Sequence, residues 1–169
     1  IHGFYGNFNA ALRSYTYILG LGDEGLRGIG ENAVLKANYL KTLLKDHYNL
    51  YVDRVCMHEF VLDGRSLRPH GTRTLDLAKR LIDYAFHPPT IYFPLIVPEA
   101  IMIEPTETES KETLDLFAEA MNTIASAATE NPNLLHNAPM ISPVQRLDEV
   151  TAARKPDLRW HMSESKTSA

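Results

Sequence analysis

The segment ENAVLKANYLKTLLKDHY, Glu31 to Tyr48, limits the fold more than any other part of the chain. Val34, Ala37, Leu40, Leu44 and Tyr48 recur at three and four, and Leu35, Tyr39 and Leu43 widen the stripe. A helix this broadly apolar needs packing on more than one side, with Lys41, Lys45 and Asp46 on the face left over. Five glycines in GLGDEGLRGIG precede it; each costs a helix interior up to about 1 kcal/mol relative to Ala, so a start as early as Asp23 is the outer limit of this reading.

The elements that follow must cover that stripe. Val55 to Leu62 reads as a strand closed by the Asp63-Gly64 turn. From Thr72 or Thr74 to Phe86, Leu75, Ala78, Leu81, Ile82 and Ala85 form one stripe, with Asp76, Lys79, Arg80 and Asp83 opposite, and Pro88-Pro89 stops the helix. Thr90 to Val97 and Ala100 to Glu104 read as a hairpin whose Pro94 and Pro98 sit at edges or bulges. Ser110 can cap a last helix carrying Leu114, Phe117, Met121, Ile124 and Ala128. The periodicity then fades into a polar tail. This order predicts an α+β domain: a long first helix, a three-stranded sheet with helices on one face, and an extended tail. The expected divisions are a connecting segment over 1–30, a small domain over 31–128 and a tail over 129–169.

Charge and composition narrow the partners. A chain of 169 residues with net charge -4 offers no basic surface to displace counterions, so neither nucleic acid nor an anionic membrane is expected. The apolar run near Leu95–Val97 is far short of the roughly 20 residues of a membrane span. A lone Cys56 forms no internal disulfide, which fits the cytoplasm. Beginning at Ile1 rather than Met, the chain reads as part of something longer.

Local motifs carry little chemistry. Gly20-x-Gly22-x-x-Gly25 matches a dinucleotide fingerprint in letters only, because no clear strand precedes it and Asp46, at the ribose-ligand distance, lies within a helix. His2, His47, His58, His70, His87, His136 and His161 include no i, i+4 pair and no cysteine partner, so no metal site is expected. On a strand, His58 and Glu59 would point to opposite faces and form no acid/base pair. Arg68, His70 and Arg73 in RPHGTR precede a helix N-terminus, where free N–H groups and the dipole favour an anion; a solvated loop is the plainer reading.

Longer strings go further. HEFVLD, TLDLAKRLIDYAFHPPT and IEPTETESKETLDLFAEAM, with YTYI and NAVLKANYLKTLL before them, resemble the C-terminal part of the glycine-cleavage P-proteins, the decarboxylating glycine dehydrogenases. The RLDEV and AARKPDLRW strings resemble the form split into two subunits, specifically its subunit 2. The resemblance runs from about Phe4 to Trp160. It implies the small domain of a fold-type-I pyridoxal-phosphate enzyme in a heterotetramer. Such an enzyme decarboxylates glycine and passes the aminomethyl group to the lipoyl arm of H-protein, with P-protein subunit 1 as the other partner. It also implies that the Schiff-base lysine and most cofactor contacts lie upstream, so that this chain alone is inactive: Lys36, Lys41, Lys45, Lys79, Lys111, Lys155 and Lys166 all lack the family's cofactor-lysine context. The family-like strings HPPT and EPTE make His87, Thr90, Glu104 and Thr106 the residues expected to face the cleft. Where relatives often carry A-P-H, this chain has Ala138-Pro139-Met140, and no histidine role carries over. Two other classes remain open at this point: another fold-type-I enzyme, such as an aminotransferase or a cysteine desulfurase, and a binding module that uses the 31–48 helix as its interface.

Overall fold

A computed structural model describes residues 5–160. His2, His161 and Lys166 lie outside them. The apolar first helix, α1 (Phe8–Leu44), starts far upstream of Glu31 and is two helical rods joined at Gly22, whose φ of 64° and ψ of -172° are not helical. Asn7 caps its start by accepting from the Asn9 and Ala10 amides. The GxGxxG letters therefore lie inside α1, with no strand before them among the described residues. Only Ala37, Leu40, Lys41 and Leu44 are buried along its length. Tyr48, past the helix end, is buried as well, and its hydroxyl donates to the Met121 carbonyl at 2.6 Å.

The sheet has four short strands, β1 (Asn49–Leu50), β2 (Phe60–Asp63), β3 (Thr90–Ile91) and β4 (Ala100–Ile103), in the antiparallel order β1-β2-β4-β3. Phe60, Leu62, Ile101 and Ile103 from the central pair join α1, α2 (Thr74–Asp83) and α3 (Lys111–Glu130) in one core through Leu40, Leu44, Leu77, Leu81, Leu114, Met121 and Ile124. The α+β architecture follows from this one-sided burial. Ser110 caps α3, accepting from the Thr113 amide at 3.1 Å.

Three expectations are corrected. Residues 55–59 are not strand: Val55 and Met57 are exposed, and the Asn38 side chain, rather than a neighbouring strand, binds the Cys56 backbone through both its N–H (3.0 Å) and its carbonyl (2.8 Å). The sheet also gains the Asn49–Leu50 edge that the polarity of the segment conceals. The tail carries two short helices, α4 (Asn133–His136) and α5 (Glu149–Arg154), instead of running extended throughout. It is strapped to α2: Asp83 accepts from the Met140 and Ile141 amides at 2.7 and 2.9 Å, and Arg146 binds Asp76 at 2.7 Å. Among the described residues, no helix is long and apolar enough to cross a membrane.

Candidate functional site

The end of α2 and the end of β4 converge on one cavity. α2 stops at Asp83, well before the prolines: Tyr84 caps it, Ala85 turns left-handed (φ 61°), and the chain passes through His87, Pro88 and Pro89 into β3 at Thr90. Beside β3, β4 runs out into Glu104, Pro105 and Thr106 before Ser110 starts α3. The cavity between them measures about 330 Å³, within the range that holds a small ligand. His87, Thr90, Glu104 and Thr106 all line it, together with Glu109 and Thr113, against an apolar wall that includes Leu40, Phe86, Met102 and Phe117. Phe86 and Phe117 stack edge to face, with centroids 5.3 Å apart, which stiffens that wall.

α1 holds the loop that follows β4. The Lys36 ammonium donates to the Glu107 carbonyl at 2.6 Å, and the Tyr17 hydroxyl donates to the Glu107 carboxylate. That bond holds the Glu107 carboxyl below the usual carboxylate range and pushes the Tyr17 phenol up. Thr106 and Thr108 share a hydroxyl–hydroxyl bond at 2.9 Å. Among the described residues, His87 and Thr90 make no side-chain hydrogen bond that would use up their polar atoms.

The RPHGTR segment is built differently from the expectation. Gly64–His70 forms a 3₁₀ helix, and the anion at the α2 N-terminus is the protein's own Glu99. The Glu99 carboxylate accepts from the Thr74 amide at 3.0 Å and pairs with Arg68 at 3.0 Å. Burial pushes its carboxyl up, but these two donors outweigh burial and keep it below the ordinary range. Arg73 gives its backbone N–H to Asp76 at 2.8 Å, and His70 lies 3.5 Å from the Thr129 hydroxyl. Arg68 thus pairs with a buried carboxylate of the protein itself, while His70 and Arg73 stay on the exposed surface. Sequence reasoning missed Glu99 because its role depends on a left-handed backbone (φ 52°) beside Pro98, which turns both its carboxylate and its carbonyl toward Thr74.

Sequence reasoning also separated His58 from Glu59. Outside a strand the alternation of faces does not apply, and one ligand atom from each of His58, Glu59 and Glu104 lies within 4.8 Å of the others. The adjacent letters H-E, one strand away from a second Glu, were the available signal.

Comparison with known proteins gives the family of the chain. A sequence profile described as "Glycine dehydrogenase, C-terminal domain" matches residues 29–140. The chain is 62% identical over 160 residues to a "Probable glycine dehydrogenase (decarboxylating) subunit 2" of Caldanaerobacter subterraneus subsp. tengcongensis, covering 95% of this chain and 33% of that protein. It is 59% identical over 157 residues to the protein of the same name from Staphylococcus haemolyticus, covering 93% and 32%. The chain thus spans about a third of the length of these relatives. A crystal structure of glycine decarboxylase (P-protein) of the glycine cleavage system, in inhibitor-bound form, shares the fold with a TM-score of 0.56 at 24% identity, over 68% of this chain and 25% of that one.

Proposed function

Since the chain belongs to the glycine dehydrogenase C-terminal domain family, we propose that it is the C-terminal part of subunit 2 of a decarboxylating glycine dehydrogenase and that its cavity faces that enzyme's reacting substrate. The observation that carries the site is the meeting of the HPPT and EPTE strings on one cavity wall. In this reading the full-length enzyme releases carbon dioxide from glycine and transfers the aminomethyl group to lipoylated H-protein, in the cytoplasm and together with P-protein subunit 1.

Pyridoxal phosphate supplies the electron sink for such a decarboxylation. The residues lining this cavity do not fit it. The cofactor needs an amine for its aldehyde and cationic or amide donors for its phosphate, and among the described residues no lysine or arginine lines the cavity. Lys36 and Lys41 are committed to backbone carbonyls, and Lys111 to Asp115. In this reading the cofactor is held by another part of the full-length enzyme. What this chain contributes is the facing wall: the His87 imidazole and the Thr90 and Thr106 hydroxyls to orient a small polar substrate, and the Leu40, Phe86, Met102 and Phe117 side chains to exclude water from it.

The test is made in the full-length two-subunit enzyme, by measuring glycine-dependent carbon dioxide exchange with H-protein. His87→Ala and Thr106→Val should lower turnover by about tenfold or more at unchanged melting temperature. Arg68→Ala and His70→Ala should leave turnover of the folded enzyme intact, with Arg68→Ala lowering the melting temperature because Glu99 loses its partner. Loss of turnover in the second pair alone would reject the cavity as the site.

A further inference from the structure

The register of the sheet sets two carboxylates side by side. Phe60 lies opposite Ile103 in the antiparallel β2·β4 pair, and Glu59 and Glu104 are the next residues outward. Like charges opposed across strands destabilise the pairing unless a cation stands between them. Among the described residues no lysine or arginine forms an ion pair with either carboxylate, and the one group that approaches is the His58 imidazole, with Nε2 4.0 Å from Glu104 Oε1.

We propose that His58, Glu59 and Glu104 bind a divalent transition-metal ion such as zinc. One ligand atom from each comes within 4.8 Å of the other two. Metal–ligand bonds of about 2.0–2.2 Å demand a somewhat tighter triangle. The His58 and Glu104 side chains are exposed, at 55% and 54%, so neither is held by packing against the rotation that a tighter triangle requires. The backbone beneath is anchored on both sides: the β2·β4 pairing ends at Phe60 and Ile103, one residue from Glu59 and Glu104, and the paired bonds from Asn38 to Cys56 hold the segment that delivers His58. An imidazole with two carboxylates selects zinc or a neighbouring transition ion over magnesium or calcium, which favour all-oxygen shells. Three protein ligands leave a coordination position open. Glu104 also lines the cavity, so the ion would stand at its mouth. This inference stands independently of the reaction proposed above.

The experiment titrates the full chain, stripped of metal with chelator, with zinc alone and with magnesium alone by calorimetry, beside His58→Ala, Glu59→Gln, Glu104→Gln and the triple variant. One zinc per chain is expected at this site, weakened about tenfold or more by each single change and absent from the triple variant, with magnesium far weaker. Thermal melting gives a second reading. Zinc should raise the parent's melting temperature but not the triple variant's. In metal-free buffer, Glu59→Gln and Glu104→Gln should melt slightly higher than the parent, because they remove the repulsion. The proposal is overturned if the triple variant binds zinc like the parent, if the parent binds none, if magnesium binds as tightly as zinc, or if the metal-free carboxamide variants melt lower.

Discussion

Gly64 shows how one residue can be legible for an incomplete reason. In sequence it is half of an Asp-Gly turn. In the fold it admits no side chain: a Cβ there would lie 2.5 Å from the Thr74 hydroxyl and 2.6 Å from the Glu99 carbonyl, and its own N–H donates to that carbonyl at 3.1 Å. The contact depends on Glu99, 35 positions away along the numbering, and no local pattern announces it. Gly64→Ala should destabilise the chain by about 1–3 kcal/mol through overpacking, read as a lower urea midpoint at constant m-value. A midpoint matching the parent's would mean that the α2 N-terminus moves aside without penalty. His87, Thr90, Glu104 and Thr106 were legible only through whole strings that resemble a family, since nothing in their spacing predicts that two turns 14 residues apart line the same cavity.

Elements with strong periods were placed nearly where they stand. α3 buries Leu114, Met121, Ile124 and Ala128 as its spacing predicts, whereas α2 keeps only Ala78 and Leu81 of the expected stripe: Ile82 and Ala85 are exposed, and Leu77 and Asp76, the latter expected to face water, are buried. The segment 55–59 was misread because its apolar letters satisfy a strand pattern while its backbone is bound by a side chain of α1, a partner no local pattern can show. The tail escaped notice for a related reason: its anchors are carboxylates on α2 that look like an ordinary solvated face. Asp83 is the chief of them. Burial pushes its carboxyl up, yet the Ile141 and Met140 amides and Arg80 outweigh burial and hold it below the normal range. A depressed folded-state value means that the stabilisation is complete above the unfolded-state value of about 3.9 and is lost as pH falls through the folded one. The strap should therefore open on acidification, with amide exchange at Met140 and Ile141 accelerating below about pH 4 before α3 is affected. Asp83→Ala should produce that exchange at neutral pH. Equal protection in parent and variant at neutral pH would remove Asp83 as the anchor.

At the scale of the molecule, one contiguous core occupies the second rod of α1, the sheet, α2 and α3, while the first rod remains largely outside it. Phe8, Tyr15 and Leu19 are 80%, 61% and 64% exposed, and Leu35, expected to widen the packed stripe, is 67% exposed. The broad apolar stripe is covered by this chain on one side only, through Ala37, Leu40 and Leu44. Isolated chains should then associate through this helix, since contiguous exposed apolar surface is rare on monomers. Sedimentation at micromolar concentration should show dimers or larger species, and Tyr15→Lys with Leu19→Lys should return the chain to a monomer. A parent that sediments as a monomer at every concentration would place the contact surface elsewhere.

The break at Gly22 gives that protruding rod a distinct mechanical character. A continuous helix transmits bending and torsion along its axis, so a load on Phe8 would reach Leu40 and the cavity wall. Here the direction of the first rod is set at one residue, in a backbone region that side chains seldom enter. The two rods are tied to the base in different ways: Tyr17 on the first donates to the Glu107 carboxylate, while Leu40 and Leu44 on the second pack in the core. A load on the first rod is delivered through the Tyr17 contact to the loop beside Glu104 and Thr106, rather than along the helix axis to Leu40.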